Sequence, residues 1–236
     1  MLLNDLNTFS PELSKKNVFL VSLGATEQHG RYAPLGTDNF IQNALMEKVQ
    51  TALPEVIFLP TIPVGPSWQH VGFNGTVSLK PETLYAIVSD VVNCLKDNAS
   101  TIVFVSWHGG NKPTVNEFIE KEQQNYPDIK LALVTFGDEG TDEKAEKLLN
   151  GPTDDHAGNT EVSIMLAVRP DLTKQPQSND AKKDVDFSWD KPIIEVTPDG
   201  EIDHHKQWVA SPEIGKELVV IYSENLIAKI RSLIAG

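Results

Sequence analysis

Three short stretches of the chain carry side chains that bind metal ions or move protons. The first is Gly24-Ala25-Thr26-Glu27-Gln28-His29-Gly30, followed by Asp38 nine residues after His29. In an extended segment, residues two apart point to the same side, so Glu27 and His29 can converge on one point. Two carboxylates and an imidazole form a ligand set that zinc, manganese and iron accept about equally. The second stretch is Trp107-His108-Gly109-Gly110-Asn111. Its glycines put His108 on a tight turn with exposed backbone N–H groups, which suit a developing oxyanion. The third is Asp154-Asp155-His156-Ala157-Gly158-Asn159-Thr160-Glu161. Asp154 and Asp155 either orient His156 or simply decorate a helix start, where acidic residues are favoured. Each stretch alone also reads as a polar turn. Together they give one candidate metal cluster of Glu27, His29, Asp38, His108 and Glu161.

A fourth segment, residues 67–76, reads as a loop with aromatic walls that can enclose a small ligand. Trp68 and His70 are its candidate substrate contacts, joined by Gly109, Gly110 and Asn111. Core packing is an equal reading for Trp68 and Phe73. His204 and His205 receive no role.

These residues need elements to hold them. Apolar runs predict strands at residues 17–23, 56–59, 101–106 and 130–135. Helices are predicted at 40–53, 81–95, 113–125, 160–168 and 213–234, with Asp38 as a cap near the start of the first. The alternation implies an α/β fold, a doubly wound, mostly parallel sheet with helices on both faces, in a single domain over residues 1–236. Ligands in such folds sit beyond the carboxyl ends of the strands, where the first two stretches begin. Residues 171–210 form a polar, proline-containing excursion. It is expected to be extended, with a small hairpin around Pro198-Asp199-Gly200, and to act as a lid or a subunit contact.

A net charge of −13 argues against nucleic-acid and anionic-membrane partners. Neither a run of about 18 apolar residues nor a signal-peptide pattern is present. The sole cysteine, Cys94, fits a reducing compartment, so a cytoplasmic location is expected. No Gly-x-Gly-x-x-Gly or Gly-x-x-x-x-Gly-Lys-Ser/Thr pattern follows a strand, which argues against a nucleotide-binding protein.

The ordered set of motifs resembles the creatininase family of metal-dependent amidohydrolases. It comprises Leu23 to Gly30, Pro34-Leu35-Gly36-Thr37-Asp38, Gly72-Phe73-Asn74-Gly75-Thr76, His108-Gly109-Gly110-Asn111, and His156-Ala157-Gly158 with Glu161-Val162-Ser163. The match runs over about residues 15–170 and is weak in the C-terminal third. The resemblance implies two divalent metal ions per subunit (Zn, Mn or Fe). Glu27 and His108 would hold one, His29 and Glu161 the other, and Asp38 would bridge them. His156 would be a catalytic residue that is not a ligand. The implied reaction is cleavage of a carbon–nitrogen bond, in an amide, cyclic amide or formamide of a small polar substrate, by a metal-bound hydroxide. The family is commonly oligomeric, typically a hexamer. Creatinine-cleaving members carry an acid–base glutamate where this chain has Gly110, and a bulkier residue at Gly109. This departure argues against creatinine as the substrate. Other members act on formamides, on a peptide tail during cofactor maturation, or on a keto-inositol ring. Ring opening of a keto-inositol and metal binding without catalysis are therefore the alternative readings.

Overall fold

The computed structural model describes residues 1–14, 16–177, 179–180, 185 and 187–235. Four parallel strands, β1 (Asn17–Leu23), β2 (Ile57–Phe58), β3 (Ala99–Ser106) and β4 (Lys130–Val134), form one sheet in the order β2-β1-β3-β4. From β1 the chain moves out to β2. It then crosses to the other side of β1, forms β3 and continues to β4. The winding therefore reverses between β1 and β3, and the loops beyond their carboxyl ends form the crevice expected of a doubly wound sheet.

Both faces of the sheet are covered. The side chains of β1 and β3 alternate between two apolar clusters, as the strand period demands. Leu20, Val103 and Val105 enter one cluster, and Phe19, Val21, Leu23, Ile102 and Phe104 enter the other. Helices α1 (Thr37–Ala52), α5 (Asn159–Val168) and α6 (Pro212–Ala235) cover the first face through Ile41, Leu45, Ile164, Met165, Leu218 and Leu226. Helices α2 (Pro81–Leu95) and α3 (Asn111–Glu122) cover the second through Leu84, Val88, Val92, Val115 and Phe118. Among the described residues, no helix is long and apolar enough to cross a membrane. Cys94 is exposed.

Several expectations need correction. Asp38 does not cap α1: the N-cap is Gly36, with no side-chain capping bond, and Asp38 is buried in the first turn. Helix α4 (Glu139–Leu149) has no counterpart in the sequence reading. Its apolar stripe is short, with Ala145 and Leu149 facing the core, while Asp138 caps it by accepting from the Thr141 amide at 3.0 Å. Helix α3 starts two residues earlier than expected and is followed by a 3-10 turn, Gln123–Asn125. The described part of residues 171–210 contains only the 3-10 turn Ile193–Glu195 and isolated bridges. No hairpin forms about Pro198-Asp199-Gly200. Ile202, beyond that turn, pairs instead with His156.

One close approach fixes the helix layer. A Cβ on Gly215 would lie 1.9 Å from the Ser163 carbonyl oxygen, so α6 meets α5 backbone to backbone. Ser163 is two residues past Glu161, and this crossing therefore sets where α5 presents that carboxylate. Gly215→Ala is expected to cost about 1–3 kcal/mol through overpacking, and so to lower Tm by roughly 3–10 °C. An unchanged thermal transition by circular dichroism would show that the crossing relaxes freely.

Candidate active site

The strand ends deliver the site. The extended segment after β1 carries Glu27 and His29, the first turn of α1 carries Asp38, the turn after β3 carries His108, and α5 carries Glu161. All five are buried. Their donor atoms gather in two groups that share Asp38: Glu27 with Asp38 and His108, and His29 with Asp38 and Glu161. A third group joins Glu27, His29 and His156.

Backbone carbonyls decide the tautomers. A carbonyl only accepts, so the nitrogen facing it must carry the proton. His108 Nε2 donates to the Pro66 carbonyl at 2.7 Å, and His29 Nδ1 donates to the Glu27 carbonyl at 3.1 Å. The other nitrogen of each ring then faces inward, where it can hold a proton or offer a lone pair to a metal ion. His108 Nδ1 lies 3.3 Å from Glu27 Oε1 and 3.8 Å from Asp38 Oδ2. His29 Nε2 lies 3.7 Å from Asp38 Oδ2 and 3.6 Å from Glu161 Oε2. Two donors about 2.1 Å from one tetrahedral ion stand roughly 3.4 Å apart, the range found here. Glu27 Oε2, His29 Nε2 and Asp38 Oδ2 are also buried without a hydrogen-bond partner. Such atoms are costly unless something pairs with them. The donor set therefore fits divalent metal ions, with each imidazole oriented from behind by a carbonyl.

Electrostatics tell the same story. Burial pushes the Asp38 pKa up to about 7, with Glu27 and Glu161 adding repulsion against the pull of His29 and His108. Burial opposes a charged His108, yet Glu27 and Asp38 raise it to about 9. Burial likewise opposes a charged His29, but Asp38, Glu161 and Glu27 raise its pKa. Crowded carboxylates at this depth demand positive charge, whether protons or metal ions.

Two histidines stand apart from that demand. Burial pushes His70 down to about 4, and burial together with His70 and His29 pushes His156 well below its ordinary value. Gln28 organises both. Its Oε1 accepts from the Gly30 amide at 2.9 Å, which fixes which end is the amide nitrogen. Gln28 Nε2 then donates to the Gly200 carbonyl and to His70 Nδ1, each at 3.0 Å. The His70 proton therefore sits on Nε2, 3.3 Å from Glu27 Oε1. His156 Nε2 donates to the Gln28 carbonyl at 2.7 Å, so its close approach to Gln28 Nε2 at 2.9 Å is a contact between two donors. His156 Nδ1 thus holds a lone pair, 3.8 Å from Glu27 Oε1.

A cavity of about 420 Å³ opens over the cluster, lined among others by Glu27, Asp38, His70, His108, Gly109, Gly110, His156 and Glu161. Two expected substrate contacts lie elsewhere. Trp68 is 44% exposed and does not line this cavity, because the 3-10 turn Trp68–His70 sends His70 inward and Trp68 out. Asn111 is fully buried and donates to the Gly24 carbonyl and Ser106 Oγ, tying the ends of β1 and β3 together. Asp154 does not orient His156. It accepts from the Gly158 and Thr160 amides and so anchors the start of α5. Asp155 pairs with His204 at 3.2 Å on the cavity rim.

Sequence reasoning missed five wall residues: Trp107, Gln69, Trp189, Lys112 and Pro113. Trp107 carried a signal, since it immediately precedes His108. Its indole N–H donates to Glu161 Oε1 at 2.7 Å, and the Ala157 amide donates to Oε2 at 2.7 Å. Ala157 reaches that position with φ +56°, the left-handed region that costs a non-glycine residue strain. Gly110 admits no side chain, because a Cβ would lie 2.2 Å from the Pro66 carbonyl oxygen, whereas Gly109 faces open space.

The family model for creatininase, described as creatinine amidohydrolase, matches residues 6–230. The chain belongs to the creatininase family. It is 33% identical over 157 residues to the mycofactocin precursor peptide peptidase of Mycolicibacterium smegmatis, covering 64% of this chain and 58% of that protein. It is 28% identical over 171 residues to the creatinine amidohydrolase of Pseudomonas putida, covering 66% of this chain and 65% of that one. The matched region thus spans less than two thirds of the length of these relatives. Among solved structures, a manganese creatininase superposes with a TM-score of 0.79 at 22% identity, over 98% of this chain and 97% of that one. A zinc–zinc mutant creatininase superposes at 0.77, with the same identity and coverage.

Losing the partner behind a ligand typically weakens metal affinity about 10–100-fold. Trp107→Phe is expected to do this here, as read by chelator competition, with the fold retained. Unchanged affinity would show that the Trp107 contact does not position Glu161 for a metal ion, the Ala157 amide sufficing.

Proposed function

We propose that this creatininase-family chain is a binuclear metal-dependent hydrolase that cleaves a carbon–nitrogen amide bond in a small polar substrate. One observation carries the reading: two donor groups share the buried Asp38 beneath a cavity whose wall holds a neutral, oriented histidine. Glu27 and His108 would hold one ion, His29 and Glu161 the other, with Asp38 between them. Bound there, the ions supply Lewis acidity toward a carbonyl and a lowered pKa for water.

The chain's own residues do the rest. His156 is in its basic form, with its Nε2 proton held by the Gln28 carbonyl, so Nδ1 is the atom that accepts a proton and returns it to the leaving nitrogen. His70 stays neutral and steadies Glu27 through Nε2. Gly109 leaves its backbone open toward the cavity, where an amide can face a developing oxyanion. Trp189 and Gln69 narrow the entrance, and Gln69 Nε2 donates to the Trp189 carbonyl at 3.2 Å.

Creatinine is disfavoured, because the backbone at Gly110 excludes the acid–base glutamate of creatinine-cleaving members. The likeness to precursor-peptide peptidases favours a linear, peptide-type amide over a cyclic one. The deciding experiment is an activity screen of metal-loaded protein against short peptides, formamides and cyclic amides. Absence of bound metal together with absence of turnover would sink the proposal.

Two variants test the roles. Asp38→Ala should lose both ions by elemental analysis, and loss of one alone would rule out the bridge. His156→Ala should keep its metal while turnover drops about 10²–10⁴-fold. Metal lost together with activity would instead make His156 a ligand, as its grouping with Glu27 and His29 allows.

A further inference from the structure

The cavity over the cluster has a neighbour. A second chamber of about 180 Å³ adjoins it, and the two share Trp107, Lys112, Asp155 and Glu161 in their walls. Lys112 is the only lysine or arginine among the described residues lining either chamber. It sits in the first turn of α3, four residues after His108 and one turn on from the open Gly109.

Its ammonium has no hydrogen bond or ion pair among the described residues, which is unusual for its surroundings. Lys229 nearby donates to the Thr135 and Gly137 carbonyls and pairs with Asp138. Asp155, across the rim, is engaged by His204. Asp142 acts on Lys112 through its charge without forming an ion pair, and burial lowers the Lys112 pKa. A half-buried cation without a partner is disfavoured. Here it faces the space where a substrate must lie, and the positive end of α3 reinforces it.

We propose that Lys112 anchors a carboxylate of the substrate, so that the scissile amide belongs to a carboxylate-bearing molecule such as an N-acyl amino acid or the last residues of a peptide. A singly charged carboxylate fits better than a phosphoryl dianion, because Asp142, Asp155 and Glu161 surround the position and repel additional negative charge. The metal-site reading supplies the scissile bond, and this inference rests on it. Lys112 adds which amides are held in register above that site.

The test uses matched probes on the metal-loaded full chain. N-acetylglycine is compared with N-acetylglycinamide, and triglycine with triglycinamide, by calorimetric titration and by product release. A charge-assisted contact predicts that the wild type binds the carboxylate of a pair about ten- to hundredfold more tightly than its neutral amide. Lys112→Met should bind both members within about twofold, with metal content and circular dichroism unchanged, and Lys112→Arg should retain most of the discrimination. The stronger pair identifies the source of the carboxylate. The anchor is overturned by a wild type that binds no probe or does not discriminate, by Lys112→Met that still discriminates, or by Lys112-dependent binding of inorganic phosphate tighter than either carboxylate. Discrimination without turnover of any probe would leave the anchor standing and count against the hydrolase. Turnover without discrimination would do the reverse.

Discussion

Three carboxylates, Glu27, Asp38 and Glu161, meet in a buried space at the floor of the cavity, and the rest of the architecture answers to that crowding. Like charges at such range raise one another's pKa and need positive charge between them. The fold supplies imidazoles and then removes their freedom. Pro66 and Glu27 present carbonyls to the outer nitrogens of His108 and His29, leaving only the inner nitrogens to face the carboxylates, with a proton or a metal ion between. Separations of 3.3–3.8 Å are long for hydrogen bonds and suited to shared coordination.

Rigid elements hold this geometry from several sides. Strands β1 and β3 lie at the reversal of the sheet's winding, and Asn111 binds their ends together. Helix α5 is pressed by Gly215 of α6, while Asp154 and Asp203 take up the amide groups at its start. Helix starts favour such anionic partners. Residues beyond α5 then fold back over the site. Gly200 holds Gln28, Glu201 pairs with Arg31 at 3.1 Å, and Ile202 pairs with His156. The excursion thereby becomes part of the wall that orients His156.

The cavity divides its walls by task. Its floor is acidic and histidine-rich, the composition of a metal site. Its rim carries Trp189, Gln69 and Lys112, none of which makes a hydrogen bond or ion pair to the five metal-type residues among the described residues. The family relationship extends over nearly the whole chain, and Gly110 and Lys112 line the cavity beside its acidic floor. A shared fold constrains the substrate little, because specificity lies in such rim positions.

Apolar runs and helical periodicity made most of the sheet and its covering helices legible, since Asn17–Leu23 is buried almost throughout, as a strand covered on both faces must be, and Pro81–Leu95 buries Leu84, Val88 and Val92 at helical spacing. The gathering of Glu27, His29, Asp38, His108 and Glu161 in one place was legible as well, because their stretches lie at the carboxyl end of the sheet, where the loops converge. Helix α4 was not, since two buried apolar residues give too faint a stripe. Nor could sequence separate Trp68 from His70, as one turn of 3-10 helix points them in opposite directions. The residue types and their order determined the chemistry available to this protein. Only the tertiary structure decided which nitrogen of each histidine faces inward, that Asp38 belongs to both donor groups, and that Lys112 faces the cavity without a partner among the described residues. Those facts depend on carbonyls and helix ends contributed by segments far apart in the chain, and spacing along the sequence carries no information about them.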